Sequence, residues 1–207
     1  MKNYPIKIVL VFVHLLIAIP LRFLFRIKKD KILKIRSSER YIIAANHPSK
    51  LDPFLILAAL PFSTYFKLIP TRFLTSQNYL DKWYYRFFLT PLGCVSNRPK
   101  NKKSLELLEE LAKKGETIFI FPRGELEKRG KISEPKVGAI YLEKNIKNLK
   151  IIPVSIKFDK KLSFKDVIKR KVKTDIKFRM PFRHKEFKDD LLINAKDLIN
   201  RIEKDGK

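Results

Sequence analysis

An α/β fold, with a largely parallel central sheet flanked by helices and an apolar N-terminal helical segment ahead of it, is what this 207-residue sequence predicts. Three observations carry that reading. Short apolar runs at 41–45 (YIIAA), 117–121 (TIFIF) and 151–158 (IIPVSIKF) alternate with stretches of helical period, the pattern of strand-helix-strand units. The first two runs stop at loop-forming residues, Asn46-His47-Pro48 and Pro122-Arg123-Gly124, as strands ending at the edge of a sheet do. No internal repeat or low-complexity linker divides residues 37–207, so they are read as one domain, with residues 1–36 as its anchoring appendage.

The elements follow in order. Ile8 to Leu21 is apolar apart from His14 and Pro20. Fourteen helical residues reach ~21 Å and eighteen ~27 Å, short of the ~30 Å hydrocarbon core, so the segment reads as a monotopic or single anchor rather than a clean span. No small-residue cleavage site follows it, and residues 22–36 carry seven Lys or Arg against the one acid Asp30, a placement suited to the anionic cytoplasmic leaflet. The competing reading is a core helix that happens to be N-terminal, since apolar stretches of this length are often buried. Residues 41–45 then form a strand, and Asp52-Pro53 opens a helix through Leu60. Further elements are a strand at 64–69, an aromatic helix at 81–89, an amphipathic helix at 102–114 closed by Gly115, a buried strand at 117–121, and a helix at 136–144. Strands at 151–158 and 172–178 and a helix at 188–203 complete the chain.

Charge narrows the partner. Forty-six Lys and Arg against twenty-one Asp and Glu leave +25, which calls for a polyanion, either nucleic acid or an anionic membrane surface. A hydrophobic content of 45% with sixteen Phe excludes a disordered basic tail. The single Cys94 forms no intramolecular disulfide, and three His with one Cys build no four-ligand zinc site, so neither a metal nor a cofactor is expected. A nucleic-acid binder accounts for the charge, and basic residues interleaved with Phe and Tyr suit single strands. It leaves the apolar segment and the loop around His47 unexplained and shows no recognised motif. A membrane surface accounts for the charge and the apolar segment together, and no obligate protein partner is inferred. Two further stretches fit it or a blander reading. In the 81–89 helix Trp83, Tyr84, Phe87 and Phe88 share a face that either enters a headgroup layer or packs on the sheet. Residues 157–188, with thirteen Lys or Arg against four acids, either lie on anionic lipid or form a solvated face.

His47 and Asp52 form an H-x4-D pair where a strand ends and a helix begins, the place where open α/β sheets set reactive groups. A histidine that takes a proton from an alcohol needs a carboxylate to fix its tautomer and stabilise the imidazolium, and the short loop can return Asp52 to the ring. Asp followed by Pro is also a common helix start, so a capping role stands beside the catalytic one.

Four blocks in order carry a resemblance that bears on the choice: Asn46-His47-Pro48-Ser49-Lys50-Leu51-Asp52, Gly93 to Arg98, Phe121-Pro122-Arg123-Gly124-Glu125, and Ile152-Pro153-Val154. The chain resembles the glycerophospholipid acyltransferase family over about residues 41–155, and Lys136-Val137-Gly138-Ala139 resembles the family segment that opens the helix after the third block. The resemblance implies transfer of a fatty acyl group from a thioester, acyl-CoA or acyl carrier protein as co-substrate, to a hydroxyl of a lysophospholipid or glycerophosphate. His47 is then the general base, oriented by Asp52, with no covalent enzyme intermediate; Cys94 reads as packing. Backbone N–H groups near Gly124 or Val154 would serve the oxyanion. The third block departs from the pattern: Arg123 stands where the common version has Glu, and Glu125, Leu126 and Glu127 replace Thr, Arg and Ser. Leucine cannot capture a phosphate, so recognition of the acceptor anion is assigned to Arg123, Arg98 or Arg129, with Gly124, Glu125 and Lys136 in the same loop. For Arg123 the alternative is a surface salt bridge to Glu125 or Glu127. Acceptors other than a phosphate monoester remain open.

Overall fold

The structure is a computed structural model and describes residues 4–28, 34–36, 38–90, 92–97, 103–127 and 133–203. A six-stranded sheet organises it, with strand order β3-β2-β4-β1-β5-β6. The strands are β1 (Arg40–Ala45), β2 (Thr71–Ser76), β3 (Cys94–Asn97), β4 (Thr117–Ile120), β5 (Leu149–Phe158) and β6 (Thr174–Phe178). All neighbours pair in parallel except β5 with β6. Pro153, which brings no N–H, falls where the β5–β6 ladder is interrupted between the Ile151↔Phe182 bridge and the Val154↔Phe178 pair.

Both faces of β1 are buried, and its period of two divides the core. Ile43 and Ala45 join the cluster under the N-terminal helices and α3 (Asp52–Ala59), while Ile42 and Ala44 join the cluster opposite. That second layer contains α7 (Lys103–Lys113), α8 (Gly138–Asn145) and α10 (Leu191–Glu203), whose Leu108, Ile140 and Leu198 are fully buried. A His-carboxylate pair ties this side together: Glu143 of α8 accepts from the His184 backbone N–H and from its ring Nδ1, both at 2.7 Å.

Two assignments made from sequence change. Residues 64–69 are not a strand; α4 (Phe62–Leu68) occupies them, with Tyr65 and Leu68 buried three apart and Phe62 and Phe66 exposed four apart, a helical division of faces. The β-favouring Thr, Tyr and Phe mislead because burial at helical spacing overrides propensity. The strand comes after Pro70 instead, as β2. The second block, which the sequence reading assigns to no element, supplies a strand at Cys94–Asn97. Gly93, at φ +83°, turns the chain into edge strand β3, and a Cβ there would lie 2.3 Å from the Thr71 carbonyl oxygen, so only glycine permits β3 to follow β2 so closely. Short helices α5 (Gln77–Leu80), α6 (Trp83–Leu89) and α9 (Phe164–Ile168) fill the connections.

The N-terminal segment is one helical rod: α1 (Tyr4–Val13), a π-helical turn (His14–Ala18) and α2 (Ile19–Leu24). One side enters the core. Leu10, Ala18, Phe25 and Ile27 are buried, the Leu10 carbonyl accepts from the Tyr65 hydroxyl at 2.5 Å, and His14 stacks on the Tyr65 ring at 4.2 Å. Arg22 donates to the Ala58 carbonyl through Nε at 2.7 Å and to the Leu60 carbonyl at 2.9 Å, satisfying the end of α3. The other side is apolar and bare, with Phe12 at 59%, Leu16 at 71% and Phe23 at 59% exposure. The 18 residues Lys7–Leu24 are long and apolar enough to cross a membrane by length and composition. The core-helix reading thus describes one face of the rod, and the other face is exposed. The expected boundary near residue 36 adjoins residues outside the described set.

Candidate active site

Two central strands and their connections build the site. β1 and β4 are hydrogen-bonded neighbours in parallel, so the loops leaving their C-terminal ends, 46–51 and 121–127, must meet. Asn46 fixes the end of β1: its side chain accepts from the Ile156 N–H at 2.7 Å and donates to the Ile156 carbonyl at 3.0 Å, clamping β1 to β5 just ahead of His47. The Glu127 N–H donates to the His47 carbonyl at 2.8 Å and closes the second loop over the first.

His47 Nδ1 lies 2.8 Å from Asp52 Oδ2, and the same oxygen accepts from the Ser49 N–H at 2.8 Å. Asp52 is wholly buried, whereas the His47 side chain keeps 19% exposure. Paired this way, Nδ1 is the protonated nitrogen and Nε2 is the acceptor available to a substrate. Burial pushes the Asp52 carboxyl above its ordinary range, against the hydrogen bonds from His47 and Ser49 that favour the carboxylate. Asp52 is the first residue of α3 rather than its cap: Leu51 holds the capping position, and no side chain caps the helix start. Its carboxylate turns back to the loop. The imidazole plane is set from the other loop by Phe121, stacked at a centroid distance of 3.9 Å and an interplanar angle of 14°. Asn46 and Phe121 both stand inside the blocks read from sequence, yet their roles as clamp and ring support depend on which strands are adjacent. The neighbouring position of each to a site loop is the signal available in the sequence.

The other expected residues divide. Gly124, at φ +70°, turns the 121–127 loop, its N–H donating to the Phe121 carbonyl at 2.8 Å. A Cβ on it would lie 2.6 Å from Lys136 Nζ, so the lysine side chain lies directly over the glycine. The Lys136 N–H in turn donates to the Pro122 carbonyl at 2.7 Å. Glu125 is exposed. Arg123 is paired, but not with Glu125 or Glu127: it binds Glu203 of α10 through Nε at 3.2 Å and through Nη2, and the Ser133 carbonyl through Nη1 at 2.7 Å. Arg98 and Arg129 lie outside the described residues. The β3 strand that leads to Arg98 is three strands from β1, roughly 14 Å at ~4.8 Å per strand. Cys94 is a poor nucleophile, since burial pushes its thiol up to about 12. A cavity of about 550 Å³ lies at the opposite edge of the sheet, among Arg40, Lys67, Lys114 and Thr117, away from the His47 chemistry. Among the described residues no cluster suits a metal ion.

A family model described as Acyltransferase matches residues 26–157, well over half of the chain, and spans both site loops. The chain belongs to the Acyltransferase family. Among curated proteins it is 27% identical over 163 residues to a probable 1-acyl-sn-glycerol-3-phosphate acyltransferase of Mycoplasma pneumoniae, covering 75% of this chain and 58% of that protein. The chain thus spans less than two thirds of that relative's length. Among solved structures, the 1-acyl-sn-glycerophosphate (LPA) acyltransferase PlsC from Thermotoga maritima aligns with a TM-score of 0.61 and 17% identity, over 96% of this chain and 93% of that one. At that identity the likeness speaks for the fold, and the mostly parallel sheet is shared. The acyltransferase family and the fold expected from sequence agree.

Proposed function

We propose that this acyltransferase-family chain works at a membrane surface, moving a fatty acyl group from a thioester donor, acyl-CoA or acyl carrier protein, to a hydroxyl of a lysophosphatidic acid-type acceptor. The observation that carries this is the His47–Asp52 pair, 2.8 Å apart at the end of a central strand, with Nε2 left for a substrate. Nε2 takes the acceptor hydroxyl proton as the oxygen adds to the thioester carbonyl. Asp52 holds the imidazolium so formed. The tetrahedral intermediate then collapses to ester and thiolate, and the thiolate leaves as thiol with the proton from Nε2. Donors for the oxyanion come from the backbone of the 124–127 loop, where the N–H groups of Gly124 and Glu127 are already committed to Phe121 and His47, or from Val154, level with the end of β1.

The bare side of the N-terminal rod supports membrane attachment, and the basic residues after it favour the cytoplasmic leaflet. Trp83 at 79% and Phe87 at 71% exposure support the headgroup reading of α6; the Phe88 side chain lies outside the described set. For the acceptor anion, Arg123 is already engaged by Glu203, so Arg98, Arg129 and Lys136 are the cations assigned to it. Because no guanidinium stands at Leu126, a lipid hydroxyl acceptor without a phosphate monoester is the second reading.

One assay tests both. Detergent-purified protein is incubated with labelled acyl-CoA or acyl carrier protein thioester and a panel of lysophosphatidic acid, glycerol 3-phosphate, zwitterionic lysophospholipid and uncharged lipid alcohol. Transfer to lysophosphatidic acid above the rest is expected. Transfer to the uncharged alcohol alone would replace the first reading by the second, and no transfer to any acceptor would reject the reaction.

A further inference from the structure

We infer that the β5–β6 connection, residues 159–173, is a second docking element that seats on an anionic bilayer surface, continuous with the bare face of the N-terminal rod. This rests on the reading that the rod itself lies in a membrane.

The connection holds seven cations, Lys160, Lys161, Lys165, Lys169, Arg170, Lys171 and Lys173, against Asp159 and Asp166. Its apolar residues are sorted by direction. Leu162, Val167 and Val172 pack against the core cluster shared with the rod, so the inward side is already satisfied. Phe164 and Ile168, four apart on α9, point outward with 83% and 56% exposure. A merely solvated basic loop has no use for a bare Phe and Ile on one face. A headgroup layer does, because rings and aliphatic groups enter the acyl boundary while lysines bind anionic phosphates.

Two contacts make the connection continuous with the rod. The Arg170 guanidinium lies 3.6 Å from the centroid of the exposed Phe23 ring, and the Thr174 N–H donates to the Phe25 carbonyl at 3.0 Å. Arg170 takes up φ +53° at the end of α9, a conformation that favours glycine, so a side chain is kept there against backbone preference. Its place over Phe23 gives the reason. The connection also stands on the catalytic edge. Val154 is level with Ala45, and β5 runs four residues further to Phe158, roughly 13 Å beyond that pair. A bilayer touched by Phe23, Phe164 and Ile168 therefore faces the edge of the sheet on which His47 sits, so that a lipid acceptor reaches the base without leaving its leaflet.

The test uses the full chain and flotation with vesicles of phosphatidylcholine alone or mixed with phosphatidylglycerol. Wild type is expected to prefer the mixed vesicles. Phe164→Ala with Ile168→Ala should weaken that binding about tenfold with an unchanged melting temperature. Lys165→Ala and Lys169→Ala should each weaken it about fivefold and flatten its salt dependence. Phe164→Trp in a Trp83→Phe background, which leaves one tryptophan, should shift its emission to the blue on adding mixed vesicles. Wild-type flotation with unshifted emission and undiminished binding of the double variant overturns the inference alone. Wild type that never floats overturns the membrane reading as well. Lysine variants that keep vesicle affinity but raise the KM for an acyl carrier protein donor would assign this face to an acidic protein instead, and the inference would be wrong.

Discussion

The backbone N–H of Glu127 donates to the carbonyl of His47 at 2.8 Å, so the loop after β4 is bolted to the residue that ends β1. Eighty residues of sequence separate these groups, and only the pairing of two parallel strands joins them. The same closure lays Phe121 against the His47 ring, which makes the orientation of the base depend on a residue without chemistry of its own.

Phe121→Leu keeps most of the volume and removes the flat support. A stability loss under ~1.5 kcal/mol is expected from such a swap. Turnover should fall at least about tenfold, since a small misplacement of a reacting group is costly. Steady-state kinetics beside a thermal melt check this; unchanged kcat would mean that the Asp52 hydrogen bond alone orients the ring.

Asp52→Asn separates catalysis from a purely structural role. Asn keeps the volume and an oxygen to accept from the Ser49 N–H, so a structural role predicts normal activity, whereas the dyad predicts loss of most turnover in a folded protein. The pH dependence has a definite sign. The Asp52 pKa is raised in the folded state, so between its unfolded value, near 3.8, and the folded one the native protein binds the extra proton. Wild type is therefore expected to lose stability relative to Asp52→Asn as pH rises through that window, and to gain it as pH falls. Melts of both proteins over acidic to neutral pH give the difference, and a constant gap would refute the raised carboxyl.

The rod predicts two opposite classes of variant. Phe12→Glu with Leu16→Glu, on the bare face, should release the chain from membranes and leave unfolding unchanged. Arg22→Ala should leave attachment intact and cost ~1.5–3 kcal/mol in urea unfolding, because carbonyls of α3 lose a charged donor. Deletion of residues 1–27 removes the buried Leu10, Phe25 and Ile27, uncovers the core cluster they cover, and is expected to aggregate rather than give a soluble domain. Soluble, cooperatively unfolding material from that deletion would contradict the packing.

Arg123→Ala and Glu203→Gln should behave alike. If Arg123 tethers its loop to α10, either change lowers kcat similarly and costs ~1 kcal/mol or less of stability, as partly exposed ion pairs do. An acceptor KM raised by Arg123→Ala and untouched by Glu203→Gln would return Arg123 to the substrate.

Much of this protein is local information. The strand ending at Asn46, the helix opening at Asp52-Pro53 and the turn at Gly124 are written in neighbouring residues, and so is the pairing of His47 with a carboxylate five positions away, because a short loop leaves little freedom. What needed the tertiary structure is long-range. α4 carries strand-like residues, and its helix is decided by Tyr65 and Leu68 meeting the core together. The faces of the N-terminal rod cannot be divided from composition, because one apolar side meets Tyr65 and α3 while Phe12 and Leu16 on the other stay exposed. For Arg123 the sequence offers the acceptor anion, or else Glu125 or Glu127 as a surface partner; folding brings it Glu203, eighty residues away, because the packing of α10 on the sheet, not proximity along the chain, chooses a guanidinium's partner.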